Sequence, residues 1–99
     1  MIQNYKIVTL CGSTRFKDQF LETQKRLTLE GCIVISVGLF GHSGDEEVWK
    51  PGTKEMLDDM HLRKIDLADE IFVINVGHTR RLFSGWSIRI MGILSDRQV

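Results

Sequence analysis

Gly12, Ser13, Thr14 and Arg15 stand in the run CGSTRF (11–16), between a strand-like KIVTL and a stretch of helical character. At a turn from strand to helix, small side chains leave backbone N–H groups accessible, and the helix dipole favours an anion. Arg15 adds a guanidinium, whose forked N–H groups suit phosphate or carboxylate oxygens. The run therefore reads as an anion site. The competing reading is that Ser13 or Thr14 simply caps the following helix. The run is not a Walker A loop, because the second Gly-Lys pair is missing. Nor is it a dinucleotide fingerprint, because no G-x-G-x-x-G occurs.

Cys11 lies at the same positive end, where a thiol pKa can fall and a nucleophile arise. A phosphatase-type loop needs a longer gap between its Cys and Arg than the three residues separating Cys11 from Arg15. A small apolar residue finishing a buried strand is the favoured reading of Cys11. A second polar group follows in GHSGDEE (41–47). There His42, Asp45, Glu46 and Glu47 could meet a base or sugar, against the alternative of a solvated acidic loop. His61, at the flank of a helical stretch, reads as a packed or half-exposed histidine. No Cys/His grouping has metal-ligand spacing, so neither metal nor other cofactor is expected.

The elements that must position these groups read as β-α-β-α-β. KIVTLC (6–11) is apolar and β-branched, as a buried parallel strand should be. From Arg15 to Glu30 there is no Gly or Pro, and Phe16, Phe20 and Leu27 share a helical face, with Gly31 as the stop. CIVISVGLF (32–40) reads as a second buried strand. A second helix is expected over 51–68, with Pro51 in its first turn. Its apolar arc would hold Met56, Leu57, Met60, Leu67 and Ala68, with Lys64 intruding and His61 alongside. EIFVINVG (70–77) is the third strand. This order predicts a three-layer α/β/α sandwich with a parallel sheet, flavodoxin- or Rossmann-like, in full or truncated form. Ligands in such sheets bind beyond the carboxyl ends of the strands, where CGSTR, residues 38–43 and the residues after Val76 converge.

Ninety-nine residues make one small domain. Residues 1–77 form the α/β core, and 78–99 an atypical tail of the same domain. Thirteen basic and thirteen acidic residues balance, which argues against nucleic-acid or anionic-membrane binding. No apolar stretch approaches a membrane span, and the first residues lack signal-peptide character, so a cytoplasmic protein with Cys11 and Cys32 reduced is expected. The tail holds four arginines and one acid, Asp96, whereas 1–77 hold all six lysines and the other twelve acids. SIRIMGIL (87–94) suits either a strand or a short helix. Apolar Leu82, Phe83, Trp86, Ile88 and Ile90 point to self-association as a homodimer or larger oligomer.

CGSTRF taken together with HLRKIDLADEIFVINVG (61–77) resembles the nucleoside 2-deoxyribosyltransferase-like superfamily over roughly positions 5–77, nearest its small bacterial and phage members. The superfamily includes deoxynucleoside 5′-monophosphate N-glycosidases, whose first loop also reads C-G-S, one residue, then arginine. The resemblance implies a deoxynucleoside or its monophosphate as substrate and an oligomeric α/β sandwich. It places Gly12, Ser13 and Arg15 in the loop that holds the sugar or its phosphate. Asp69 matches an Ala-Asp pair that looks structural, and His61 stands where the glycosidases carry an aspartate. Family members continue from strand three into a segment bearing a glutamate nucleophile, which forms a glycosyl-enzyme intermediate. GHTRRLFSGWSIRIMGILSDRQV (77–99) contains no glutamate, so the catalytic residue is unassigned and cleavage or transfer is expected to be impaired. A shifted reading frame or shortened gene would leave such a break at Gly77, and reading the other two frames tests this.

Overall fold

The structure is a computed structural model that describes residues 3–75 and the backbone of 78–82. Its chain order is β1 (Ile7–Gly12), α1 (Lys17–Leu29), β2 (Ile33–Ile35), α2 (Thr53–Leu67), β3 (Glu70–Asn75) and β4 (His78–Leu82). The sheet order is β2-β1-β3-β4. β1 pairs in parallel with β2 on one side and with β3 on the other, while β4 joins β3 antiparallel. The three parallel strands and two intervening helices make an α/β fold of the doubly wound kind. The chain reverses its direction of travel across the sheet between β1 and β3, which is the crevice where such folds hold ligands.

Alternation along the strands assigns each sheet face to one helix. Val8, Leu10, Phe72 and Ile74 pack with Phe20 and Leu27 of α1. Cys11 and Ile71 pack with Ile65 of α2. α1 ends as its sequence requires. Gly31 takes a left-handed φ of +92°, its N–H donates to Thr28, and the Cys32 N–H donates to the Leu27 carbonyl. A short 3-10 helix, Thr14–Phe16, precedes α1, so the α-helix begins two residues later than the Gly/Pro-free run suggests.

Three expectations need correction. The apolar run 32–40 is a strand only at Ile33–Ile35. Beyond it Gly38 turns the backbone at φ +82°, and Val37 and Phe40 enter the core from a loop. α2 begins at Thr53, because Pro51 and Gly52 form a turn in which Gly52 has φ +83°. The buried stripe of α2 is Leu57, His61 and Ile65, whereas Met56, Met60 and Leu67 are exposed. Two tethers set that rotation. The Thr9 hydroxyl donates to the Lys64 carbonyl at 2.8 Å, and the Lys64 ammonium donates to the Ser36 carbonyl at 2.8 Å. Lys64 thus faces the sheet, and the apolar arc turns toward solvent. The proposed strand or helix at 87–94 lies outside the described residues, as do Phe83, Trp86, Ile88 and Ile90.

The β1–β3 ladder is clamped at both ends. At its start the Asp69 carboxylate accepts from the Ile7 N–H at 2.8 Å, and the Asp69 N–H returns a bond to the Ile7 carbonyl at 2.8 Å. Beside it Lys6 pairs with the buried Glu70 at 2.9 Å. At its far end Gly12 has φ +141°, and a Cβ there would collide with the Ile74 carbonyl oxygen. Gly12→Ala should therefore destabilise by about 3 kcal/mol or more, combining backbone strain with a clash. Gly31→Ala has no atom within 4 Å of the new methyl and should cost only about 1 kcal/mol for its left-handed φ. Urea unfolding of the two variants checks the contrast, and equal losses would refute it.

Candidate functional site

The carboxyl end of β1 runs straight into Gly12–Arg15, and Thr14 decides what that loop does. Thr14 is wholly buried. Its hydroxyl accepts from the His42 N–H at 3.2 Å, and its carbonyl accepts from the Ser43 hydroxyl at 2.8 Å. Thr14 therefore fastens the first loop to the second, and its own polar groups are occupied by that task. Ser13 caps the short helix, its hydroxyl accepting from the Arg15 N–H at 3.4 Å, while the Arg15 side chain lies exposed. The capping alternative thus falls on Ser13. Thr14 and Ser13 do structural work, whereas the Arg15 side chain is exposed.

The second loop is held from both sides. Phe40 packs edge-on against Phe20 with ring centroids 5.5 Å apart, and the Lys17 ammonium lies 5.7 Å above the Phe40 ring. The Phe40 N–H donates to the Asp45 carboxylate at 2.7 Å, and the Asp45 N–H donates back to the Phe40 carbonyl at 3.1 Å. Asp45 closes the loop, so it is not spare for substrate. Gly44 makes the return with φ +112°. Gly41 packs directly on Val48, since a Cβ at Gly41 would sit 3.1 Å from the valine side chain.

Beside this loop lies a hollow of about 600 Å³ lined by Gly41, His42, Gly44, Glu46, Trp49 and Lys50 among others. His42 and Glu46 both line it. Gly12, Ser13 and Arg15 do not; they stand on the neighbouring loop, joined to it through Thr14. Sequence reasoning missed Trp49 and Lys50, because the acidic run GDEE drew the loop boundary before them. The available signal was a tryptophan embedded in a charged, non-periodic stretch.

Under α2 the chemistry is different. Cys11 is buried, and burial pushes its thiol up to about 12, which leaves it protonated and unreactive. Cys11 and Cys32 are both free thiols. His61 is only 4% exposed, and neither ring nitrogen has a hydrogen-bond partner among the described residues. Burial foremost, with repulsion from Lys64, lowers its pKa to about 4, while Asp58 opposes the shift. The Lys64 pKa is also lowered by burial. Among the described residues no group of three His, Cys, Asp or Glu side chains could hold a metal ion. No described helix is long and apolar enough to cross a membrane.

The chain matches no family model, no curated protein and no solved structure.

Two measurements test the local accounts. His61 titrates near 6.5 when unfolded but near 4 in the fold. Between these values the unfolded chain takes up a proton that the folded chain refuses, so stability falls as pH drops through the window, by about 3 kcal/mol in full. His61→Leu should flatten the dependence of the urea midpoint on pH between 6.5 and 4; an unchanged slope would show that other groups govern it. Thr14→Val removes the acceptor for the His42 N–H while keeping the shape. It should lower stability by about 1–2 kcal/mol, and amide exchange at His42 should quicken.

Proposed function

We propose that this chain is a nucleoside 2-deoxyribosyltransferase-like protein that binds deoxynucleosides or their 5′-monophosphates at the carboxyl edge of β1, with weak or no N-glycosidic cleavage. One observation carries the reading. Thr14 locks the CGSTR loop against residues 42–43, which sets the exposed Arg15 loop beside a hollow lined by His42 and Glu46. An arginine with adjacent small residues suits a phosphate or sugar. An aromatic-lined hollow next to it suits a base. The resemblance of CGSTRF and HLRKIDLADEIFVINVG to that superfamily supplies the substrate class and the reaction type.

Glycosidic cleavage needs a carboxylate at the anomeric carbon and a proton donor for the leaving base. Asp45 is committed to the Phe40 N–H, and Glu46 and Glu47 are exposed to water. Residues 78–99 contain no glutamate. This favours binding over efficient turnover, and makes a non-catalytic nucleotide-binding module the second reading. Glu46 is the one site carboxylate lining the hollow that could serve as a nucleophile.

Incubation with the four deoxynucleosides and their 5′-monophosphates, with chromatographic detection of free base, separates the readings. The expected outcome is a rise in melting temperature with monophosphates and slow or undetectable base release. Arg15→Ala should weaken monophosphate binding by about tenfold, the loss of one charge-assisted contact. Base release abolished by Glu46→Gln with monophosphate binding retained would instead establish catalysis. Neither release nor stabilisation would sink the proposal.

A further inference from the structure

The hollow contains a large aromatic surface that its architecture holds out of the core. Glu46–Trp49 is a 3-10 helix, in which successive side chains point about a third of a turn apart. Val48 is therefore buried, packed with Leu57 and Leu39, while Trp49 faces away and stays 50% exposed. His42 meets the indole at an interplanar angle of 61° with centroids 5.3 Å apart. This is an edge contact, which steadies the ring without lying flat on it. Gly41 makes the arrangement possible, because a side chain there would push against Val48.

The rim of the hollow adds opposite charges. Glu46 offers only acceptors and Lys50 only donors. A purely apolar ring would satisfy neither. A planar heterocycle carrying an amino donor and a ring-nitrogen or carbonyl acceptor would satisfy both while stacking on the indole. Tryptophan faces take bases without strong sequence preference.

Resting on the nucleotide-binding reading above, we propose that Trp49 is the base platform of the site, with Glu46 and Lys50 reading the edge of the heterocycle. The nucleobase would lie in the hollow lined by Gly41 and Gly44. The sugar would span toward the Gly12–Arg15 loop, which Thr14 holds alongside. Trp49 thus recognises the aromatic ring of any base, and the Arg15 loop recognises the anionic end.

The test uses the full chain carrying Trp86→Phe, so that tryptophan emission reports Trp49 alone. The probes are deoxyadenosine, deoxycytidine, deoxyadenosine 5′-monophosphate and the base-free deoxyribose 5-phosphate. Both nucleosides and the nucleotide should quench the emission in a saturable way, and deoxyribose 5-phosphate should not. Trp49→Ala should weaken nucleoside and nucleotide binding by about tenfold, measured by calorimetry, while leaving the melting shift with deoxyribose 5-phosphate unchanged. That retained shift also certifies that the variant folds. Trp49→Phe should restore most of the affinity.

Absence of quenching, or equal affinity in Trp49→Ala, would overturn the platform. If deoxyribose 5-phosphate still stabilised the protein in that case, the phosphate reading of the Arg15 loop would survive alone. Saturable quenching by nucleosides with no response to deoxyribose 5-phosphate would uphold the platform and sink the phosphate reading instead.

Discussion

The absence of a side chain at Gly12 is the constraint on which the rest of the molecule depends. Among the described strands β1 alone is paired on both sides in parallel, and its last residue lies against Ile74 of β3 so closely that no Cβ fits. Because the two strands stay together to that point, the crevice between them opens at a fixed place. The first loop must leave from there, and the polypeptide turns immediately into the short helix and α1. Asp69 secures the opposite end of the same ladder by exchanging hydrogen bonds with Ile7. Between these clamps, each face of the sheet receives its own helix and its own apolar cluster.

The two loops at that edge divide their labour between frame and surface. Thr14, Asp45 and Phe40 use their polar groups or rings inside the protein. Arg15, His42, Glu46, Trp49 and Lys50 remain at the surface. This separation means that a loop of mostly polar residues can be stiff. Its hydrogen-bonding demand is met by its own backbone and by a buried threonine, so the exposed side chains are presented from a fixed base.

Much of the parallel core was legible in sequence, because buried strands and the Gly31 stop are written in local composition. β1 and β3 appear where KIVTLC and EIFVINVG place them, within a residue or two, and α1 ends at its glycine. Two of the errors share one cause, which is that tertiary hydrogen bonds are invisible to apolar pattern. Residues 36–40 look like strand because they are apolar, yet Ser36 gives its carbonyl to a lysine instead of a ladder. α2 is rotated because Lys64 and His61, polar in composition, occupy the sheet-facing side while two methionines do not. Within the candidate site, the CGSTR run marks the carboxyl end of β1. It could not reveal that Thr14 was a fastener, because that depends on residues 28 and 29 positions further along. Trp49 escaped for a similar reason, since its exposure follows from the helical turn that buries its neighbour.

The brevity of β2 has a consequence for how copies of this chain meet. β2 is an outer strand of the sheet and pairs through only Ile33, Val34 and Ile35. A long flat outer strand invites another polypeptide to add itself, which is the first step toward fibrous aggregation. Here the backbone leaves the sheet plane after three residues. The next carbonyl is occupied by the Lys64 ammonium, and Gly38 bends the chain away. An incoming strand would find a template too short to hold it. The lysine that disrupts the apolar face of α2 therefore also acts as a gatekeeper, keeping this border of the sheet from growing.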